Sequence, residues 1–307
     1  MNILVWHVHG SYMNALVRGA HQYLVPVTTD RGPDGRGRAQ SYDWPPSVVE
    51  VDRATARESA IDVVVLQRPH ELQLADAWLG GRELPTIYLE HNTPPEPSGC
   101  CRHHAIDRED LVVVHVTHTN ALYWDTGKTR TKVIEHGIVD PGARYTGVIP
   151  HIAAVINDPI RRGPVVGTDL LERFRTAAPL DLFGMQTVEL GGYGSLRYDE
   201  LHRELARRRV YLHTTRWTSL GLSLLEAMYL GMPVVALATT EIPRAVPPHC
   251  GVVTNDVDVL LQACRELCAD ADRARGLGAH ARAHALRHYA LDRFLADWDT
   301  AYEEVAA

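Results

Sequence analysis

The sequence predicts an α/β protein of two domains, each a parallel sheet wrapped by helices, and three observations lead there. The chain has 307 residues of which 45% are hydrophobic, more than one α/β domain needs to close its core. Short β-branched runs alternate with helical periodicities almost throughout, the pattern of parallel sheets covered on both faces. After Asp140 the run PGARYTGVIPHI breaks that alternation with Pro and Gly, and a second strand series follows it.

In the first series the runs Ile3 to Val8, Tyr23 to Thr28, Val48 to Val51, Ile61 to Leu66, Thr86 to Glu90, Leu111 to Val116 and Lys132 to Glu135 read as strands. The second series reads Ala153 to Ile156, Leu180 to Phe183, Val188 to Leu190, Val210 to His213, Val234 to Ala236 and Gly251 to Val253. Between Asp30 and Pro46 the composition DRGPDGRGRAQSYDWPP is that of a mobile surface loop. Leu291, Phe294, Leu295, Trp298, Tyr302 and Val305 recur at helical spacing and make one apolar stripe, a packing helix. The domains are set at 1–145 and 146–285, with 286–307 as a helix returning to the first domain.

Composition removes several function classes. The formal net charge is −7, and no basic run tracks a phosphate backbone, which argues against a nucleic-acid partner. No leader precedes Ile3 and no apolar stretch approaches the roughly 20 residues of a membrane helix, so a cytoplasmic protein without a transmembrane segment is expected. The five cysteines, Cys100, Cys101, Cys250, Cys264 and Cys268, lack zinc-type CxxC pairs and read as free thiols. Of the 17 histidines, His7 and His9 alternate across a strand, and the Cys100, Cys101, His103, His104 cluster has no distant partner pair, so no metal site is assigned. The Asp-x-Asp pairs at 256/258, 270/272 and 297/299 sit at or in helices, where Asp caps N-termini.

The most informative segment is Thr218 to Val246, TSLGLSLLEAMYLGMPVVALATTEIPRAV. A helix opening near Leu222 presents unpaired backbone N–H groups and a positive dipole end, suited to a diphosphate. Thr218, Ser219, Leu220, Gly221 and Leu222 supply those amides. Glu226, one turn in, has a carboxylate able to accept two hydrogen bonds from a vicinal diol such as ribose. The segment resembles the donor motif of the group 1, retaining GT-B glycosyltransferases, with Gly221, Glu226 and the Gly231, Pro233, Val234, Val235, Ala236 strand entry in place. Thr218 stands where that family commonly has a first Glu. NDPIRRGPVVGTDLL resembles the family's Arg-x-x-x-x-Lys-Gly diphosphate clamp, with Asn157 on the first cationic position and Arg162 on the second. Arg161 is the neighbouring source of charge.

In the first half, TIYLEHNTP resembles the strand and loop that carry a family histidine, which makes His91 the catalytic candidate beside the anomeric centre or the acceptor. His118 is a second candidate for the cleft, His136 to Asp140 resembles the Gly-Ile-Asp signature closing the first domain, and Gly10 and Ser11 offer a close backbone approach after the first strand. The resemblance implies two Rossmann-like domains facing each other across a cleft and a retaining transferase. It further implies that a hexose-type sugar moves from a UDP, GDP or ADP donor to an acceptor hydroxyl without metal or cofactor. Thr218 and Asn157, uncharged where the family carries charge, leave open a non-catalytic sugar-nucleotide-binding protein on the same fold. A nicotinamide dehydrogenase lacks its Gly-x-Gly-x-x-Gly turn here. A phosphorylase or epimerase fits the Glu226 helix less well.

Overall fold

The computed structural model describes residues 1–95 and 101–307, and Cys100 lies outside them. The chain divides into two compact units, 1–139 with 291–307, and 140–290.

The first unit runs β1 (Asn2–Val5), α1 (Gly10–Leu16), β2 (Gln22–Pro26), β3 (Val48–Val51), α2 (Arg53–Glu58), β4 (Val63–Leu66), α3 (Glu71–Leu79), β5 (Thr86–Glu90), β6 (Leu111–His115), α4 (His118–Tyr123) and β7 (Arg130–Val133). Its seven strands are all parallel in the order β3-β2-β1-β4-β5-β6-β7. β4 (VVVL) and β6 (LVVVH) are buried along their whole length, because a sheet covered on both faces has no solvent side. The closing helix of the chain belongs to this unit. Its Phe294, Trp298 and Tyr302 are fully buried, Trp298 Nε1 donates to Tyr12 Oη at 3.1 Å, and Phe294 lies so close to Gly137 that any Cβ there would collide with its ring.

The second unit runs β8 (Ile149–Val155), α5 (Pro159–Val166), α6 (Leu171–Arg175), β9 (Leu180–Phe183), α7 (Tyr198–Arg207), β10 (Arg208–His213), α8 (Leu222–Leu230), β11 (Val234–Ala236), α9 (Ile242–Ala245), β12 (Gly251–Val253), α10 (Val257–Ala269) and α11 (Ala271–His288). The final helix, of the first unit, is α12 (Leu291–Ala306). Five parallel strands lie in the order β12-β11-β10-β8-β9. Asp256 and Asp270 cap α10 and α11 through side-chain bonds to backbone N–H groups.

Three expectations shift. Val188–Leu190 is a 3-10 turn, not a strand: Thr187 Oγ1 accepts from Gly194 N at 3.0 Å and Gly191 takes a left-handed φ of 73°, which curls the segment back. The 30–46 segment is pinned, with Arg31 bridging Glu50, Arg68 bridging Asp34, and the Arg38 guanidinium donating to the carbonyls of Trp44, Pro45 and Val48. Residues 140–145 belong to the second unit, since Asp140 pairs with Arg282 and Tyr145 N donates to Leu230 O at 3.0 Å.

Candidate functional site

In an open parallel sheet, ligands bind beyond the carboxyl ends of the strands where the strand order reverses. The second unit reverses between β8 and β10, since the chain goes from β8 outward to β9 and then returns to the other side of β8. The segment after β8, Asn157 to Gly163, runs from the strand end into α5, and the loop after β10 carries Thr218 to Gly221. The residues just beyond each, 165–169 after the first and 214–216 before the second, are bonded neighbours although far apart in sequence. Arg216 N donates to Val165 O at 2.8 Å, Arg216 forks onto Asp169 at 2.6 and 2.7 Å, and Thr214 Oγ1 donates to Val166 O at 2.8 Å. At Gly167, with φ of 73°, a Cβ would run into the Thr214 carbonyl, so only glycine permits this approach.

Gly221 precedes α8 with extended backbone and no side-chain cap, and α8 begins at Leu222 as expected. Ser219 and Leu220 are buried, while Thr218, Gly221 and Leu222 are half-exposed. Glu226 is 3% exposed and not at an open wall: His202 Nε2, from α7, lies 3.3 Å from its Oε2. α8 is buried over its last seven residues, from Leu224 to Leu230, so a residue one turn in is already inside. A carboxylate in that setting keeps a hydrogen-bond partner or becomes costly.

The cations are arranged unequally. Asn157 Oδ1 accepts from Met185 N at 2.9 Å, which commits the side chain to bracing the β9 end. Arg161 is exposed and paired with Asp158 at 2.6 Å. The half-buried Arg162 guanidinium has no hydrogen-bond or ion-pair partner among the described residues. Burial first, and neighbouring Arg161 second, push its pKa down, with Asp158 acting against them.

Residues 149–270 match the family model described as Glycosyl transferases group 1. That stretch is similar to a group 1 glycosyltransferase domain. Its fold is GT-B, as in several solved structures. HepE of Anabaena in complex with UDP and glucose aligns with a TM-score of 0.73 at 14% identity, over 99% of this chain and 100% of that one. Sucrose-phosphate synthase from Thermosynechococcus elongatus gives 0.71 at 15% identity, over 99% of both chains. A glycosyltransferase from Rickettsia africae gives 0.69 at 12% identity, over 99% and 98%. The comparison with curated proteins gives no match.

In the first unit the strand order reverses between β1 and β4, and here His91 meets residues from other strand ends. His91 Nε2 lies 2.8 Å from Gln67 Oε1, while Gln67 Nε2 donates to Trp6 O at 2.6 Å. Because the amide nitrogen is committed, the amide oxygen must accept, so His91 carries its proton on Nε2 and Nδ1 keeps a lone pair. The ring is 4.2 Å from His9 and 4.6 Å from Tyr12, measured between centroids. Burial, then His9 and His136, hold His91 well below the usual histidine range, and His9 drops to about 4 by burial and the nearby Arg68. His136 is buried, has no hydrogen-bond partner at either nitrogen among the described residues and drops to about 3. All three rings are therefore neutral near pH 7.

Gly10 and Ser11 lie under Tyr42, whose hydroxyl is 2.9 Å from Ser11 Oγ. His118 is exposed at the start of α4, 4.0 Å from Glu135, and stands apart from the His91 group. Sequence reasoning missed His9, Gln67, His202 and His213. His213, at the β10 end, is buried, with Nε2 unpartnered and a pKa lowered to about 4 by burial. Its place at a strand end just before the donor motif was the one signal available; His9 and Gln67 also follow strands, but nothing marked His202 on α7.

Proposed function

We propose that the protein moves a hexose-type sugar from a nucleoside diphosphate to an acceptor hydroxyl with retention of configuration and no metal at the diphosphate. The observation that carries this is the half-buried Arg162 guanidinium, without a hydrogen-bond or ion-pair partner among the described residues, on α5, whose end is bonded to the loop that opens α8. A cation and a helix N-terminus facing one switch point supply the charge that a metal would otherwise provide. The 146–285 region is assigned the donor role, with Glu226 taking the ribose diol and the amides of Ser219 to Leu222 with Arg161 and Arg162 taking the diphosphate. The 1–145 region is assigned the acceptor role, with His91 contacting a sugar hydroxyl through its Nδ1 lone pair. UDP is the first candidate nucleotide, since HepE is described in complex with UDP-glucose. A cytoplasmic setting, where such donors are made, completes the reading.

In the reaction the acceptor oxygen bonds to the anomeric carbon as its bond to the diphosphate oxygen breaks. Both events occur on one face of the sugar, and the acceptor proton passes to the departing diphosphate. Fixed amides and Arg162 stabilise the charge that grows on the leaving oxygen. A second reading, a sugar-nucleotide-binding protein without turnover, is favoured by Thr218 and by the committed, uncharged Asn157. Incubation with UDP-, GDP- and ADP-sugars and an acceptor panel in excess EDTA separates the two. Release of nucleoside diphosphate with a new glycoside supports transfer, whereas binding without product from any donor establishes the second reading.

A further inference from the structure

The His249, Cys250 and His284 side chains lie on the second unit, away from the donor loops. Their ligand atoms all lie within 4.8 Å of one another. Cys250 is the residue before β12, and its N–H closes a turn onto Pro247 O at 2.8 Å, so two prolines and the sheet fix its position. His284 stands on α11, with His280 one turn before and His288 one turn after it on the same face. The His249 ring is 6.0 Å from that of His284 and 6.3 Å from that of His280, and the His284 and His288 rings are 4.2 Å apart. Residues entering β12 lie at the amino-terminal edge of the parallel sheet, opposite the edge that carries Asn157, Arg162 and Thr218 to Leu222.

We propose that His249, Cys250 and His284 bind a transition-metal ion of the zinc class, with His288 or a water in the fourth position, as a staple between α11 and the β12 entry. Two imidazoles and one thiolate are the donor set zinc selects. Zinc bonds of about 2.0 to 2.3 Å put tetrahedral ligands about 3.4 to 3.7 Å apart. The present spread is about 1 Å wider, within the reach of side-chain rotation, since His249 is exposed and His284 half-exposed. The Cys250 thiol now makes only a 3.6 Å contact to His280 O; on coordination its proton leaves to solvent as the metal–sulfur bond forms. Arg287 is a charge near His284 that opposes a cation; burial first, then His288, His249 and Arg287, lower the pKa of that imidazole. No CxxC pair announces this set, and the HxxxH spacing of His280, His284 and His288 on α11 gives no hint of His249 and Cys250, which come from a turn more than thirty residues earlier.

The full chain, stripped with chelator and titrated with Co²⁺, is expected to bind one ion and to develop a thiolate-to-cobalt charge-transfer band that Zn²⁺ abolishes. Zn²⁺ should also raise the melting temperature. His249→Ala and His284→Ala, both at solvent-accessible positions, should each weaken Zn²⁺ binding by about tenfold or more, while sugar transfer is unchanged. The double variant, with its melting curve in EDTA matching the parent, should lose the band. Co²⁺ binding without the band would show a surface histidine pair acting without Cys250 and overturn the proposal, as would a band or an affinity that survives in the double variant.

Discussion

Replacing Glu226 separates a donor role from a packing role, because the structure gives it a partner of its own. In Glu226→Ala the His202 ring loses its 3.3 Å partner inside the protein, and an unsatisfied buried polar group costs about 1 to 3 kcal/mol. The melting temperature should therefore fall, unlike that of a variant at an open cleft wall. Loss of the charge-assisted bonds to the ribose diol costs about 1.5 to 3 kcal/mol each, so nucleotide affinity should drop by at least about tenfold. Glu226→Gln keeps the volume and one acceptor oxygen for His202, so it should melt close to the parent and bind between Glu and Ala. Calorimetric titration with UDP, run well below every melting transition, reads the affinity independently of stability. UDP binding by folded Glu226→Ala as tight as that of the parent refutes the ribose assignment and leaves the His202 pair as the residue's only role.

Further outcomes follow from the same geometry. Arg162→Ala should weaken UDP binding by about tenfold or more, and Asn157→Ala by less, because only the former removes an unpaired cation; equal losses in a binding titration count against the clamp. Sugar transfer should persist in excess EDTA, and turnover lost there but restored by Mg²⁺ or Mn²⁺ would contradict a metal-free diphosphate site. Stability should fall on acidification. The buried His115, His136 and His213 have pKa values lowered from 6.5 to about 4, 3 and 4, so the unfolded chain binds more protons below 6.5. Their contribution is complete above about pH 6.5 and is lost at about 1.4 kcal/mol per group per pH unit below it, down to each folded value. Melting temperatures recorded from about pH 7.5 down to about pH 5 check the sign.

Most strands were legible because parallel sheets buried on both faces demand unbroken apolar runs, and VVVL, TIYLE and LVVVH are such runs. Val188 to Leu190 misled because V-E-L alternates like a strand, although Gly191, Gly192 and Gly194 behind it favour a turn. The 30–46 segment has a loop's composition, yet one Arg38 guanidinium holding three carbonyls anchors it, and that depends on where β3 begins. The opening of α8 at Leu222 was readable from local spacing. The burial of Glu226 was not, since its partner His202 comes from another helix. The His9, His91 and Gln67 group likewise exists only because three strand ends meet where the sheet order reverses.

The placement of the donor diphosphate at the second unit's switch point is the central claim, and amide hydrogen exchange with and without UDP tests it most directly. Bound UDP should slow exchange in 157–163 and 219–224, where amides and Arg162 are assigned to the phosphates, and Arg162→Ala should diminish that effect at the same UDP concentration. UDP binding that protects other segments, such as 10–16, and leaves both of these unchanged would contradict the account.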